Sequence, residues 1–150
     1  MKIGTLCHRQ YKVVEIDTSA AEASRLMNDS QIHELIVVRR SELGNTPIGT
    51  LSDHDILAEL ADEDVDLRDV SVRDVMSFNI LLAYDFEDSS NIVERMRADG
   101  IHRLPVVDKD DILQGIVLLD DLVNLTPEME ADLSTMLVNL QEGQANRLLN

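Results

Sequence analysis

Aromatic residues make up only 3% of the chain and tryptophan is absent, so its interior must be built from Leu, Ile, Val, Ala and Met. Cysteine is nearly missing too. Cys7 is the only one, which rules out a disulfide within the chain, and it reads as a small buried apolar residue. Basic side chains are scarce: 13 Lys and Arg stand against 29 Asp and Glu, for a formal net charge of -16. A nucleic-acid binder needs a cationic surface to displace counterions, so nucleic acid is excluded as a partner, and so is an anionic membrane surface. No run approaches the roughly 20 apolar residues of a membrane span, and the start MKIGTLCHRQ lacks the apolar stretch of a signal peptide. A cytoplasmic protein is expected.

What the chain does have is a hydrophobic content of 44% over 150 residues, enough for one compact domain or two half-domains. It also carries an internal repeat. Residues 3–38 align with 72–107, and the identities cluster at Met27/Met96, Ile32/Ile101, His33/His102, Leu35/Leu104, Val37/Val106 and Val38/Val107. After a three-residue loss the match resumes as Gly49/Gly115, Asp55/Asp121 and Ile56/Leu122.

Both copies predict helix, strand, strand, helix behind an extended lead-in. The first helix begins near Ser19, which has capping-box spacing to Glu22. Ala23, Leu26 and Met27 share one face, and Ile92, Arg95 and Met96 are their counterparts, with Arg95 at the margin. The runs LIVV at 35–38 and LPVV at 104–107 suit strands buried on both faces. Turns follow at 42–47 and 108–111, and short strands then start at Ile48 and Leu113. The second helix starts near Ser52 in one copy and near Asp120 in the other. Residues 59–69 hold six acids among eleven and read as a solvated helix end and connector. Beyond Leu125, Thr126 and Pro127 can open a helix whose stripe is Met129, Leu133, Met136, Leu137 and Leu140, with Gly143 ending it.

The first copy contains RLM at 25–27, HELIVV at 33–38 and GTLSDHDIL at 49–57. The second contains VRDVMS at 72–77, ERM at 94–96, GIHRLPVVD at 100–108 and GIVLLDDLV at 115–123. With these motifs over roughly residues 2–125, the chain resembles a CBS pair, or Bateman module. Its second repeat is similar to the nucleotide-binding repeats of AMP-activated protein kinase gamma subunits. The resemblance implies an α+β fold of tandem CBS repeats with pseudo-two-fold symmetry, plus a C-terminal helix. The repeats would occupy 1–61 and 72–125, with an acidic linker at 62–71 and an amphipathic helix and tail at 126–150.

Ser52 and Asp55 stand three residues apart at a predicted helix start, which is itself a capping box. The same carboxylate has acceptor capacity for both hydroxyls of a ribose, and the two readings stay open on the residues alone. In the second copy Leu118 replaces Ser52, while Asp121 keeps the acid. His102-Arg103 precedes the second strand run where the first copy has His33-Glu34. In the resembling gamma-subunit repeats this His-Arg pair faces phosphate, and a guanidinium suits that group. The resemblance further implies that each turn meets the lead-in of the other repeat: Thr5 to Gln10 for the second site, Asp74 to Ile80 for the first. Arg9 and Lys12 add positive charge to the former, whereas Asp74 opposes phosphate at the latter. The expected nucleotide-binding residues are Thr5, Gln10, His102, Arg103, Pro105 and Asp121, with Ser52, Asp55 and His33 at the other site.

No HExxH, paired CxxC, GxSxG or P-loop pattern occurs, so neither a metal site nor catalysis is expected. The resemblance implies a non-catalytic regulatory module that binds AMP, ADP or ATP, with S-adenosylmethionine or NADH less favoured. It further implies a homodimer that signals to a separate effector protein. The rival reading is a dimerisation or protein-docking scaffold with ligand-free pockets.

Overall fold

A computed structural model describes residues 1–62 and 64–124. The expected C-terminal helix at 126–150 lies outside the described residues. The chain forms two compact units, one of residues 12–80 and the other of residues 1–11 with 81 onward. These units cut across the repeats: each repeat's lead-in belongs to the unit that holds the body of the other repeat.

In the unit of residues 12–80, β1 (Val13–Glu15) leads through α1 (Ala20–Ser30) to β2 (Glu34–Ser41), parallel to β1. β3 (Gly44–Ser52) runs antiparallel on the far side of β2. Next come α2 (Asp53–Leu60), a single 3-10 turn (Leu67–Asp69) and the short α3 (Val72–Val75). Ser19 caps α1 by accepting the Glu22 N–H at 3.2 Å, half of the predicted capping box. Helical spacing then puts Ala20, Ala23 and Met27 on the buried face, where they join Val14, Ile16, Leu35, Val37, Leu51, Ile56 and Val72 in one aliphatic core. α1 ends at Gln31, a left-handed residue with φ 54, and the next N–H, that of Ile32, returns to the Met27 carbonyl at 3.0 Å.

The other unit repeats this plan with β4 (Ala83–Tyr84), α4 (Ser89–Asp99), β5 (Arg103–Val107), β6 (Leu113–Leu118) and α5 (Leu119–Val123). Its sheet has the order β4-β5-β6, with the same parallel and antiparallel senses. Asp88 caps α4, and Gly100, with φ 66, takes the left-handed position that Gln31 holds in the first copy. The core comprises Ile3, Leu6, Cys7, Ala83, Ile92, Met96, Leu104, Val106, Val117 and Leu122. Burying a side chain such as Ile92 or Met96 stabilises the fold by about 1.5–3 kcal/mol. Arg95 lies at the margin of this core: it donates to the Leu82 carbonyl at 2.9 Å and to Glu87 at 2.6 Å.

One element departs from expectation. β3 starts at Gly44 rather than Ile48, and the turn shrinks from 42–47 to Glu42 and Leu43. The ladder continues through Arg39↔Thr46, Arg40↔Asn45 and Ser41↔Gly44. Main-chain hydrogen bonds hold this polar extension, so no apolar run marks it. Both copies also carry a bulge at the same place, between Val37 and Val38 in one and between Val106 and Val107 in the other.

Candidate ligand site

Each unit brings three segments to one place: the start of the antiparallel strand pair, the first turn of the following helix, and a lead-in from the other repeat. The strand and helix are stitched together in the same way in both copies. The Asp53 N–H donates to the His33 carbonyl at 2.9 Å, and the Leu119 N–H donates to the His102 carbonyl at 2.9 Å. The lead-ins dock alike as well. Ser77 and Thr50 exchange two main-chain hydrogen bonds at 2.9 Å, while His8 and Ile116 exchange theirs at 2.7 and 2.9 Å.

The approach explains the repeated glycines. A Cβ on Gly49 would overlap the Ser77 carbonyl oxygen, and one on Gly115 would overlap the His8 carbonyl oxygen. These glycines supply space, since neither has a positive φ.

The two helix starts carry the candidate acids in different states. At α2, Ser52 and Asp55 form the complete capping box: the Ser52 N–H donates to Asp55 Oδ2 at 2.9 Å, and the Asp55 N–H donates to Ser52 Oγ at 3.2 Å. His33 is strongly exposed and pairs with Asp53 at 2.8 Å, which holds that carboxyl below its usual range. At α5 the N-cap is Leu118, which makes no side-chain cap. Asp121 instead meets His8, with 2.5 Å between Oδ2 and Nε2, and both side chains are partly buried.

The remaining predicted residues divide between those the structure gathers near Asp121 and those it does not. Arg103 opens β5, pairs in register with Leu118 and is exposed, and His102 just before it is exposed too. Pro105 is buried in β5 opposite Ile116, the residue that binds the His8 backbone. Thr5 donates its hydroxyl to the Lys2 carbonyl at 2.8 Å, closing a 3-10 turn at Ile3–Thr5. Gln10 is exposed and makes no side-chain hydrogen bond among the described residues. Arg9 reaches the Gln114 carbonyl at 3.2 Å. His8 was missing from the expected set, although it lies inside the lead-in. Its one signal in the sequence is its alignment with Ser77, and only the pairing with Ile116 turns that into a contact. Cys7, next to it, is buried, and burial pushes its thiol above the usual range.

The β1-α1-β2-β3-α2 and β4-α4-β5-β6-α5 copies, each completed by a lead-in from the other repeat and each with an acid in the first turn of its second helix, define a tandem-repeat module with paired candidate sites. The chain belongs to the CBS domain family, whose model matches residues 3–62 and 72–128, so it is a CBS pair. It is 24% identical over 142 residues to an uncharacterised protein of Methanopyrus kandleri, covering 95% of this chain and 71% of that one. The crystal structure of CBSX2 in complex with AMP is similar at a TM-score of 0.65 and 26% identity, covering 89% of this chain and 97% of that one. The cytosolic domain of the Mg2+ channel MgtE in complex with ATP is similar at a TM-score of 0.68 and 25% identity, covering 83% of this chain and 48% of that one. The chain spans about a fifth of the length of two further curated relatives that it matches. Among the described residues no helix is long and apolar enough to cross a membrane.

Proposed function

We propose that this chain is a non-catalytic regulatory module that binds an adenosine-containing ligand at the start of α5 and passes the resulting change to an effector protein. The observation that carries this reading is Asp121. It lies in the first turn of α5, 30% exposed, with only Oδ2 engaged among the described residues. Its free acceptor capacity suits the two hydroxyls of a ribose. Arg103, opposite Leu118 in the ladder, is a guanidinium without a side-chain hydrogen bond among the described residues, and it suits phosphate. AMP, ADP and ATP are therefore preferred over S-adenosylmethionine, which has no phosphate. The AMP and ATP complexes of similar structures support an adenosine-containing ligand. A ligand that touches both the lead-in of one repeat and the turn of the other favours the conformation in which they are joined, which is a population shift. The module acts in the cytoplasm as a homodimer.

The Asp55 site favours a second reading, a docking scaffold, for that position. Its carboxylate keeps Oδ1 free, as Asp121 does, but Glu34 stands opposite Ser52 where the other copy has Arg103, and a second carboxylate there repels phosphate. That site holds a nucleoside or nothing.

Thermal unfolding with and without AMP, ADP, ATP, S-adenosylmethionine and NADH tests the reading. A ligand at a hundred times its dissociation constant is expected to stabilise the protein by about 2.7 kcal/mol. Asp121→Ala is expected to remove the shift and Asp55→Ala to leave most of it. No shift with any of the five compounds refutes the sensor reading and leaves the scaffold.

A further inference from the structure

We propose that His8 is the positioning residue of the Asp121 site, replacing by a tertiary contact the local cap that orients Asp55 in the other repeat. The inference rests on Asp121 being the ribose acid.

Asp55 and Asp121 occupy the same place in the repeat, yet they are held by different means. The carboxylate of Asp55 is tied within its own turn, to the N–H of Ser52. α5 has no such tie: among the described residues the Asp121 carboxylate bonds to His8 and not to the Leu118 N–H, and no side chain caps the helix. An acid in a first turn without a cap is free to rotate about its side-chain torsions, and a ligand that needs it in one rotamer bears the entropy of fixing it. Here the fixing is done in advance by a residue from the other end of the chain. The main chain of His8 is clamped to Ile116 by two hydrogen bonds, and its Nε2 meets Asp121 Oδ2. Only one carboxylate oxygen is taken, so acceptor capacity remains for sugar hydroxyls. Ser77, which stands where His8 does in the other unit, makes no side-chain hydrogen bond to Asp55 among the described residues; its hydroxyl accepts from the Asn79 N–H.

Isothermal titration calorimetry with AMP tests the proposal on wild type, His8→Ala, His8→Gln, Asp121→Ala and the His8→Ala/Asp121→Ala double variant. His8→Ala is expected to weaken AMP about 5- to 10-fold, the size of one net hydrogen bond. His8→Gln, whose amide N–H can replace Nε2–H, is expected to recover most of the loss. In the Asp121→Ala background the His8 substitution is expected to have no further effect. The 2′,3′-dideoxy analogue of AMP lacks both hydroxyls and is expected to bind wild type and His8→Ala alike, an outcome that general loosening of the fold would not produce. Unchanged or tighter AMP binding in His8→Ala overturns the role of His8 and leaves the ligand reading intact. Equal weakening in His8→Ala and His8→Gln also overturns it. Failure of wild type to bind any of the five adenosine compounds overturns the ligand reading itself and the role of His8 with it.

Discussion

His8 and Ile116 exchange both of their main-chain hydrogen bonds, so the first segment of the chain is tied to β6, the last strand described. Thr50 and Ser77 do the same in the other unit. The consequence is that neither CBS repeat is complete by itself, since each borrows its lead-in from the other.

The docking leaves no room beside the ladder. Gly115→Ala would drive a methyl group into the His8 carbonyl and to 2.8 Å from Cys7 Sγ, and Gly49→Ala would do likewise at the Ser77 carbonyl. Each substitution is expected to destabilise the fold by about 1–3 kcal/mol, read as a lowered urea midpoint. Gly115→Ala should also speed the reaction of Cys7 with a thiol reagent, because displacement of the lead-in uncovers it. A stability equal to wild type would show that the lead-in is not held as described.

The two first helices end on left-handed residues at equivalent places, but only one of them is glycine. Gln31 has φ 54 and Gly100 has φ 66. Gln31→Gly is expected to raise stability by up to about 1 kcal/mol, and Gly100→Ala to lower it by about the same amount. Nothing lies within 4 Å of a Cβ built on Gly100, so backbone conformation and not crowding sets that effect. Opposite shifts in the melting temperatures of the two variants are the outcome to look for.

Asp66 accepts from the Arg68 guanidinium at 2.7 Å and from the Arg68 main-chain N–H at 2.9 Å, and these bonds, the first more than the second, hold its carboxyl at about 2, below the ordinary 3.8. A group whose folded-state value lies below its unfolded one stabilises the fold above the unfolded value, and the contribution is lost as pH falls through the folded value. The contribution from Asp66 is therefore complete above about pH 4 and disappears toward pH 2. Asp66→Asn is expected to flatten that part of the stability-against-pH curve, measured by urea midpoints from pH 6 to pH 2. The pair is exposed, so added salt should shrink the difference. Parallel curves for the two proteins at low salt would refute the assignment.

Much of this could be read from residue order alone. Ser19 and Ser52 announce helix starts because a side-chain oxygen three residues before an amide is a local geometry. Met27 and Met96 mark buried faces through helical spacing, and the LIVV and LPVV runs mark buried strands. Gly49 and Gly115 stood out as a repeated pair, although the reason for them lay elsewhere in the chain. The polar end of the β2-β3 hairpin was not legible. Arg39 to Ser41 and Gly44 to Thr46 are held by ladder hydrogen bonds, which leave no pattern of hydrophobicity.

The sequence by itself determined the tandem repeat, the CBS family and the two acids at the helix starts, because each rests on neighbours a few residues apart. Only the tertiary structure decided which residues stand against those acids. The contact between His8 and Asp121 joins positions 113 residues apart, and it exists because a lead-in pairs with a strand of the other repeat. Such a pairing depends on the register of remote main chains, for which local composition carries no signal. The same physics separates the two sites: Asp55 is held by its own turn, whereas Asp121 is held by the far end of the chain.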